Sequence, residues 1–456
     1  MPRTRRHLWL ALFIFGAIVL AACESVLRDQ AAAMKAETLI AATNTAVAAA
    51  HATSVATAVP SPAPTAIPPT PTVVLPTSAP LPTEQDLVQL KDQVLQQLTH
   101  GQQGTPDQLL GVNVLPLTTT GNLSALYAAY STGSILNLLP DGRHVLALYT
   151  FVNQRWEEVQ KLNLEASDYV DATSVQQVML EPSHLWLEVQ SGAGAHSGCY
   201  DLFAFDPVSR SVSQHIASCD SSSGAGHVTD VNGDGQLDVV LDATDYYVFC
   251  YACGVTKPQY SVLAWDGKQL SEVTLTTLFD VTPPEAQQTN NEAVRLARAG
   301  LWKDAQATIE QAKTLKADNP IVRWNAGLID LHARAYRDQV SAQSFPLLNN
   351  IFYGDYAAAL NVLRPYPPDQ IFSPTGPVIS GTVAEGWLDQ LTTPVSDATN
   401  AALQAKPDLA AAYFLRGWAA YLQNPGDPQA LKDIERAAEL DPAEALYAQS
   451  VVYLKQ

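Results

Sequence analysis

Residues 410–442 read AAAYFLRGWAAYLQNPGDPQALKDIERAAELDP. Apolar side chains recur at helical spacing on both sides of the break at Asn424-Pro425-Gly426-Asp427-Pro428. Tyr413, Gly417 and Ala420 lie on the first helical stretch, and Ala430, Ile434 and Ala437 on the second. Small residues at these positions let two antiparallel helices approach closely, and Pro442 stops the second. The stretch is therefore expected to be a helical hairpin, and the same pattern extends upstream to Pro283. Residues 291–320 place Ala293, Ala305 and Ala312 among Leu296, Trp302, Ile309 and Leu315. IVRWNAGLIDLHARAYRDQ and YGDYAAALNVLRPYPPD read as two further helices, interrupted by VSAQSFPLLNNIF. VSDATNAALQAKP, with Ala402 and Pro407 in register, reads as the second helix of a degenerate unit, and AEALYAQSVVYLKQ as a capping helix.

The order aromatic, Gly, small residue, then Ala, Ala and Pro resembles the tetratricopeptide repeat. That resemblance is good over Ala410–Pro442, fair over Asn290–Pro320, and disturbed by the insertion between the middle helices. It implies an all-α solenoid over 283–456. It also implies that one face of each first helix lines a concave groove. Phe414, Trp418 and Tyr421 map to that face, so they are expected either to bind a peptide partner or to pack between helix pairs.

Residues 105–280 have a different period. HVLALYTFV, SVQQVMLE, HLWLEVQ, YDLFAF, LDVVLDA, YYVFCY and YSVLAW are strand-like. Turns at Pro140-Asp141-Gly142, Asp206-Pro207, Asp234-Gly235 and Asp266-Gly267 separate them. LPDGRHVLALYT followed by QRWEEVQKL is similar to NGDGQLDVVLDA followed by LAWDGKQLSEV, and LEPSHLWLEVQ with CYDLFAFDPVSRSVSQ reads as a third copy. Three units are too few for a closed propeller. The expectation is an all-β repeat domain, incomplete and propeller- or sandwich-like, ahead of the helical repeats. EQDLVQLKDQVLQQLTH, with Leu87, Leu90, Val94, Leu95 and Leu98 on one stripe, is an amphipathic helix expected to pack on it. The amphipathic helix and β-domain together span 84–280.

Residues 230–238, DVNGDGQLD, carry oxygen ligands on alternate positions: Asp230, Asn232, Asp234, a backbone carbonyl at Gln236, then Asp238. Hard cations such as calcium take six to eight oxygens in flexible geometry. A calcium-sensor EF-hand needs a bidentate Glu at loop position 12 and flanking helices. Position 12 is Leu241, within a strand-like run. The loop instead resembles the calcium loops of FG-GAP-type and VCBS-like extracellular β-repeats, which implies structural Ca2+. The Gly-rich SGAGAHSG at 191–198 lacks a following G-K-[ST] and is read as a hairpin loop. His196 and His227 are read as loop residues.

The N-terminus carries Arg3, Arg5 and Arg6, an apolar run from Leu8 to Val19, then Leu20-Ala21-Ala22-Cys23. This order is that of an export signal. LAAC resembles a bacterial lipobox, which implies a signal peptide over 1–22 and lipidation of Cys23 on the extracytoplasmic side of the cell membrane. Residues 23–83 are Ala/Thr-rich and then Pro-rich, a disordered, semi-rigid stalk. Net charge is −19, and it becomes more negative without the signal's arginines. That balance opposes nucleic-acid binding. Cys199, Cys219, Cys250 and Cys253 are even in number, as suits disulfides outside the cytoplasm, and Cys199–Cys219 with Cys250–Cys253 is the simplest of three connectivities. The chain reads as a non-enzymatic envelope lipoprotein that binds or scaffolds an envelope protein or peptide. The rival readings are an adhesin that binds glycans through the β-domain and an envelope hydrolase.

Overall fold

The computed structural model describes residues 81–99, 110–118, 126–134, 143–220 and 224–456. The expected signal peptide, Cys23, nearly all of the expected stalk and the turn expected at Pro140-Asp141-Gly142 lie outside them. Residues from Thr77 onward form one compact unit. Strands β1–β13 occupy 110–273, and helices follow from Pro284 to Leu454, as the change of hydrophobic period requires.

The first helix, α1 (Glu84–Thr99), begins at a reciprocal cap. Thr83 Oγ1 accepts from the Asp86 amide at 3.3 Å, and Asp86 Oδ2 accepts from the Thr83 amide at 2.7 Å. Its expected apolar stripe is used: Leu90, Val94 and Leu98 are buried against Ala129, Val145, Ala147 and Tyr149 of the sheet. Trp156 Nε1 also donates to the Asp86 carbonyl (2.7 Å).

The β region is built from antiparallel four-stranded meanders. β1 (Leu110–Leu117), β2 (Leu126–Ser134), β3 (His144–Val152) and β4 (Arg155–Leu164) form the first. After the short β5 (Tyr169–Val170), the second is β6 (Val175–Val178), β7 (Leu185–Ala193), β8 (Ser197–Asp206) and β9 (Ser211–Asp220). Their pairings coincide in detail. β3/β4 runs five pairs from His144↔Leu164, slips one residue after Leu148, and runs four more to Val152↔Arg155. β8/β9 runs five pairs from Gly198↔Asp220, slips after Leu202, and runs four more to Asp206↔Ser211. A shared bulge at a shared position marks a structural duplication. β5 bridges β2 and β7, so both meanders belong to one curved sheet. Its outer strands approach closely enough for Gln160 of β4 to accept from the Val212 amide of β9 (3.0 Å). Leu146, Leu148, Leu187, Val189, Phe203 and Phe205 fill this half-barrel.

The third meander is β10 (Gly226–Thr229), β11 (Asp238–Asp242), β12 (Tyr260–Trp265) and β13 (Leu270–Val273), a separate sheet in that order. It stacks on the outer face of the second meander through Trp186, Tyr200, Leu202 and Val239. Three meanders were expected, but the sequence places them out of phase. LDVVLDA is the second strand of its meander, whereas HVLALYTFV is the third. YYVFCY is corrected: after an isolated bridge between Asp245 and Lys257 it forms a loop with a 3-10 turn at Tyr251–Cys253 rather than a strand. Cys199 pairs with Cys219 across β8 and β9, with Cα atoms 4.0 Å apart, and Cys250 pairs with Cys253.

The helices are α2 (Pro284–Arg298), α3 (Trp302–Lys316), α4 (Pro320–Ala342), α5 (Pro346–Tyr353), α6 (Tyr356–Leu363), α7 (Pro368–Ile371), α8 (Leu388–Ala405), α9 (Ala410–Gln423), α10 (Pro428–Leu440) and α11 (Ala445–Leu454). The hairpin read from residues 410–442 is α9 and α10. A Cβ at Gly417 would sit 2.7 Å from the Ala430 carbonyl oxygen, so glycine is what permits the close approach. The interrupting span VSAQSFPLLNNIF supplies the end of α4 and most of α5.

The β and helical parts share a core. Phe249, Val255 and Leu278 are buried with Leu301, Ile329 and Phe345. The segment joining them is held by side-chain amides. Asn325 accepts from the Thr276 amide (2.9 Å) and donates to its carbonyl (2.7 Å). Asn291 does the same for Leu278 (2.7 and 3.0 Å). Asn290 and Asn325 bond each other at 2.8 Å, both fully buried. These amides give an extended segment the partners that a neighbouring strand would supply.

Candidate functional site

The acidic loop connects β10 to β11, where Thr229 pairs with Asp238. Its carboxylates organise the backbone. Asp230 accepts from the amides of Gly233 (2.7 Å), Asp234 (3.1 Å) and Gly235 (2.9 Å). Asn232 accepts from the Asp234 amide (2.8 Å), Asp234 from that of Gln236 (2.8 Å), and Asp238 from that of Val231 (3.0 Å). Gly233 (φ 71°) and Gly235 (φ 89°) take the left-handed turns this path needs. Asn232 and Asp238 are buried. Burial, with Asp234 and Asp230 adding to it, pushes the Asp238 carboxyl up to about 6. The donors are all oxygen, which suits calcium. As the loop is folded they turn onto backbone amides, and among the described residues no three His, Cys, Asp or Glu side chains converge as a metal-holding group.

The loop also has a neighbour that the sequence did not reveal. The Val231 carbonyl lies against Gly327 of α4, where a Cβ would come 2.8 Å from the carbonyl carbon. Val231, Trp324 and Leu331 pack around buried Val240, Val262 and Leu328. The acidic turn is thus seated on the helical part.

A cleft of about 610 Å3 lies between the two parts. One wall is the loop 245–257, which contributes Asp245, Tyr247, Val248 and Lys257. Asp245 and Lys257 exchange backbone hydrogen bonds (3.0 and 2.9 Å), and the Cys250–Cys253 bridge closes the tip. Ser344 Oγ donates to the Gly254 carbonyl (2.6 Å), and Phe249 meets Phe345 edge-on, with ring centroids 5.8 Å apart. The base carries Trp302, Tyr336, Phe352 and Tyr356. Trp302 stacks on His332 at 4.5 Å, and Tyr336 donates to the Pro258 carbonyl (3.2 Å). Burial lowers the His332 pKa, which favours the neutral ring there. The far wall is α8, which turns Asp389, Thr393, Asp397 and Ala401 to the cleft at steps of four residues. Its other face, Leu391, Val395 and Ala402, is buried. Tyr356 donates to the Ala398 carbonyl (3.0 Å) and so fixes α8 against α6.

Of the three aromatic residues expected either to line a groove or to pack between helix pairs, two are packed inside. Phe414 and Trp418 are fully buried. Trp418 Nε1 donates to the Ile371 carbonyl (2.9 Å), and Phe414 packs on Phe372 and Tyr447. Tyr421 is half-buried, edge-on to Phe372. The segment around α7 and the capping α11 cover this face, so as folded neither Phe414 nor Trp418 is available to a partner. SGAGAHSG is the β7–β8 hairpin expected of it. His196 is exposed, its ring 3.9 Å from that of Tyr251, and His227 is exposed on β10.

Sequence reasoning did not find the cleft, because its walls lie far apart in the chain. The one local trace is the polar stripe Asp389-Thr393-Asp397 on a helix whose opposite face is apolar. Comparison with the models of known protein families and with curated proteins finds no match for this chain.

Proposed function

We propose that the chain is a binding and scaffolding module held at the outer face of a cell membrane, and that it holds an envelope protein or peptide in the junctional cleft. The observation that carries this reading is the cleft itself. Its volume falls within the roughly 300–1,000 Å3 of ligand-binding sites, and it combines aromatic surface with a few polar groups. Its walls are tied together by the hydrogen bonds from Ser344 to Gly254, Tyr336 to Pro258 and Tyr356 to Ala398, so little ordering remains to oppose binding. The tether is supported by the sequence alone: the basic and apolar leader, LAAC ending at Cys23, and the Pro-rich stretch after it. The test is a crosslinking pull-down from intact cells with the full chain. One specific partner is expected for the wild type, reduced at least tenfold for Tyr247→Arg, which fills the cleft mouth. Capture of the same partner by both proteins would reject the cleft as the seat.

Calcium is proposed as a structural ligand of Asp230, Asn232, Asp234, Asp238 and the Gln236 carbonyl. Its support is the all-oxygen donor set and the burial of Asp238. Extracellular modules bind calcium at about 10⁻⁴–10⁻³ M. At 10 mM calcium, linkage then gives about 1.4–2.7 kcal/mol. The melting temperature of the full chain should rise by a few degrees in calcium over EDTA. Asp230→Asn with Asp234→Asn should abolish the rise, and an unshifted wild type would dismiss calcium.

A further inference from the structure

We infer that the cleft recognises a positively charged group carried beside an aromatic or apolar body, as a lysine- or arginine-bearing peptide segment presents it. This rests on the reading of the cleft as the binding seat and adds what the seat selects. The α8 wall presents two exposed carboxylates, Asp389 and Asp397, eight residues apart on one helical face with Thr393 between them. Neither carboxylate is in an ion pair among the described residues, whereas Asp355 and Asp304, elsewhere in the helical part, are paired with Lys303 (2.6 Å) and Lys406 (2.5 Å). Facing α8 is Tyr247, 51% exposed, with Trp302 at the base. An exposed tyrosine ring and unneutralised carboxylates on facing walls of one cleft each attract an ammonium or guanidinium, the ring through its quadrupole and the carboxylates by charge.

Of the two cations of the cleft, Arg298 lies by the C-terminal end of α8, beside Ala401, Gln404 and Ala405, and Lys257 lies away from that wall. Arg298 Nη2 is held by the Leu275 carbonyl (2.7 Å), and Lys257 stands on the opposite wall beside Asp245. The charge pattern therefore has direction. A ligand's cation is drawn to the Asp389 end of α8, and an anionic end, where there is one, toward Arg298 at the C-terminal end of the same helix. The volume of about 610 Å3 suits two or three residues rather than a folded surface.

The test is calorimetric titration of the full chain with tyramine, a ring bearing an ammonium, against two soluble analogues. Tyrosol replaces the ammonium with a hydroxyl, and 4-hydroxyphenylacetate replaces it with a carboxylate. Tyramine is expected to bind, tyrosol about tenfold more weakly, and the acid more weakly still. Asp389→Asn/Asp397→Asn should lose about tenfold for tyramine and nothing for tyrosol, with an unchanged melting temperature because both side chains are exposed. Equal binding of tyramine and tyrosol, preference for the acid or for a neutral trisaccharide, no binding by any probe, or an unaffected double variant would each overturn the inference. The pull-down keeps the two levels apart. Partner capture that depends on Tyr247 but ignores the double variant leaves the seat intact and removes the cation.

Discussion

Gly327→Val is expected to destabilise the full chain by about 3 kcal/mol, the upper end of overpacking costs, and Gly327→Ala by a smaller amount of the same sign. The sign for alanine is the informative part. In an exposed helix interior, Gly to Ala stabilises by roughly 1 kcal/mol. Here the added Cβ meets the Val231 carbonyl, a backbone group that cannot rotate aside. The order Gly, Ala, Val in falling stability, read from denaturant midpoints, is the steric result. If alanine proves the most stable of the three, α4 does not seat the acidic loop. Because loop and helix share this contact, the same variants should also reduce the melting rise on calcium addition.

Asp201→Asn is expected to stabilise the chain at pH 7.5 by about 2–3 kcal/mol and to leave it nearly unchanged at pH 4. Asp201 is 8% exposed on β8, between Val189 and Ala217 on the flanking strands, and Gln214 donates to it at 2.8 Å. Burial pushes its carboxyl up to about 6, well above the ordinary aspartate value of 3.8. The folded state thus favours the protonated acid. The stability it contributes is full below the unfolded value and is lost as pH rises through about 6. A carboxyl raised this far costs the folded state about 3 kcal/mol once it is ionised. Asparagine keeps the acceptor for Gln214 without the charge, so the variant should flatten the stability profile between pH 4 and 7. Parallel wild-type and variant profiles across that interval would contradict the assignment.

The elements with a strong local period were legible. Leu90, Val94 and Leu98 fell on one stripe and are one buried face. The Gly417 hairpin was readable because a single glycine has to admit the Ala430 carbonyl. The EF-hand was excluded by Leu241, and that residue does lie in a strand. Two kinds of feature were not legible. Strand phase was lost because the sequence D-G precedes the third strand of the first meander and the second strand of the third, so matching these dipeptides aligned a third strand with a second. The true repeat is carried by bulges after Leu148 and Leu202, which leave no mark in composition. The aromatic run around Cys250 read as a strand because its side chains favour one. Phe249 and Val255 bury in the helical core instead, and the bridge between the cysteines bends the backbone out of any ladder. Phe414 and Trp418 are a related case. Aromatic residues on one helix face are consistent with a groove or with a core, and only the position of the α7 segment decides which.

The asparagine contacts along residues 276–278 bear on how the molecule comes apart. A composition boundary at Pro283 suggests two bodies on a hinge. Yet Thr276 and Leu278 have their amides and carbonyls satisfied by helical side chains, and Asn290 and Asn325 are buried where no water can replace them. Parting the sheets from the helices would strand these polar groups at once, together with the Val231 and Phe249 contacts. Cooperativity therefore crosses the boundary: the place where the sequence changes character is not a place where the free energy divides. A ligand in the cleft, touching both sides, stabilises a single folding unit rather than closing two.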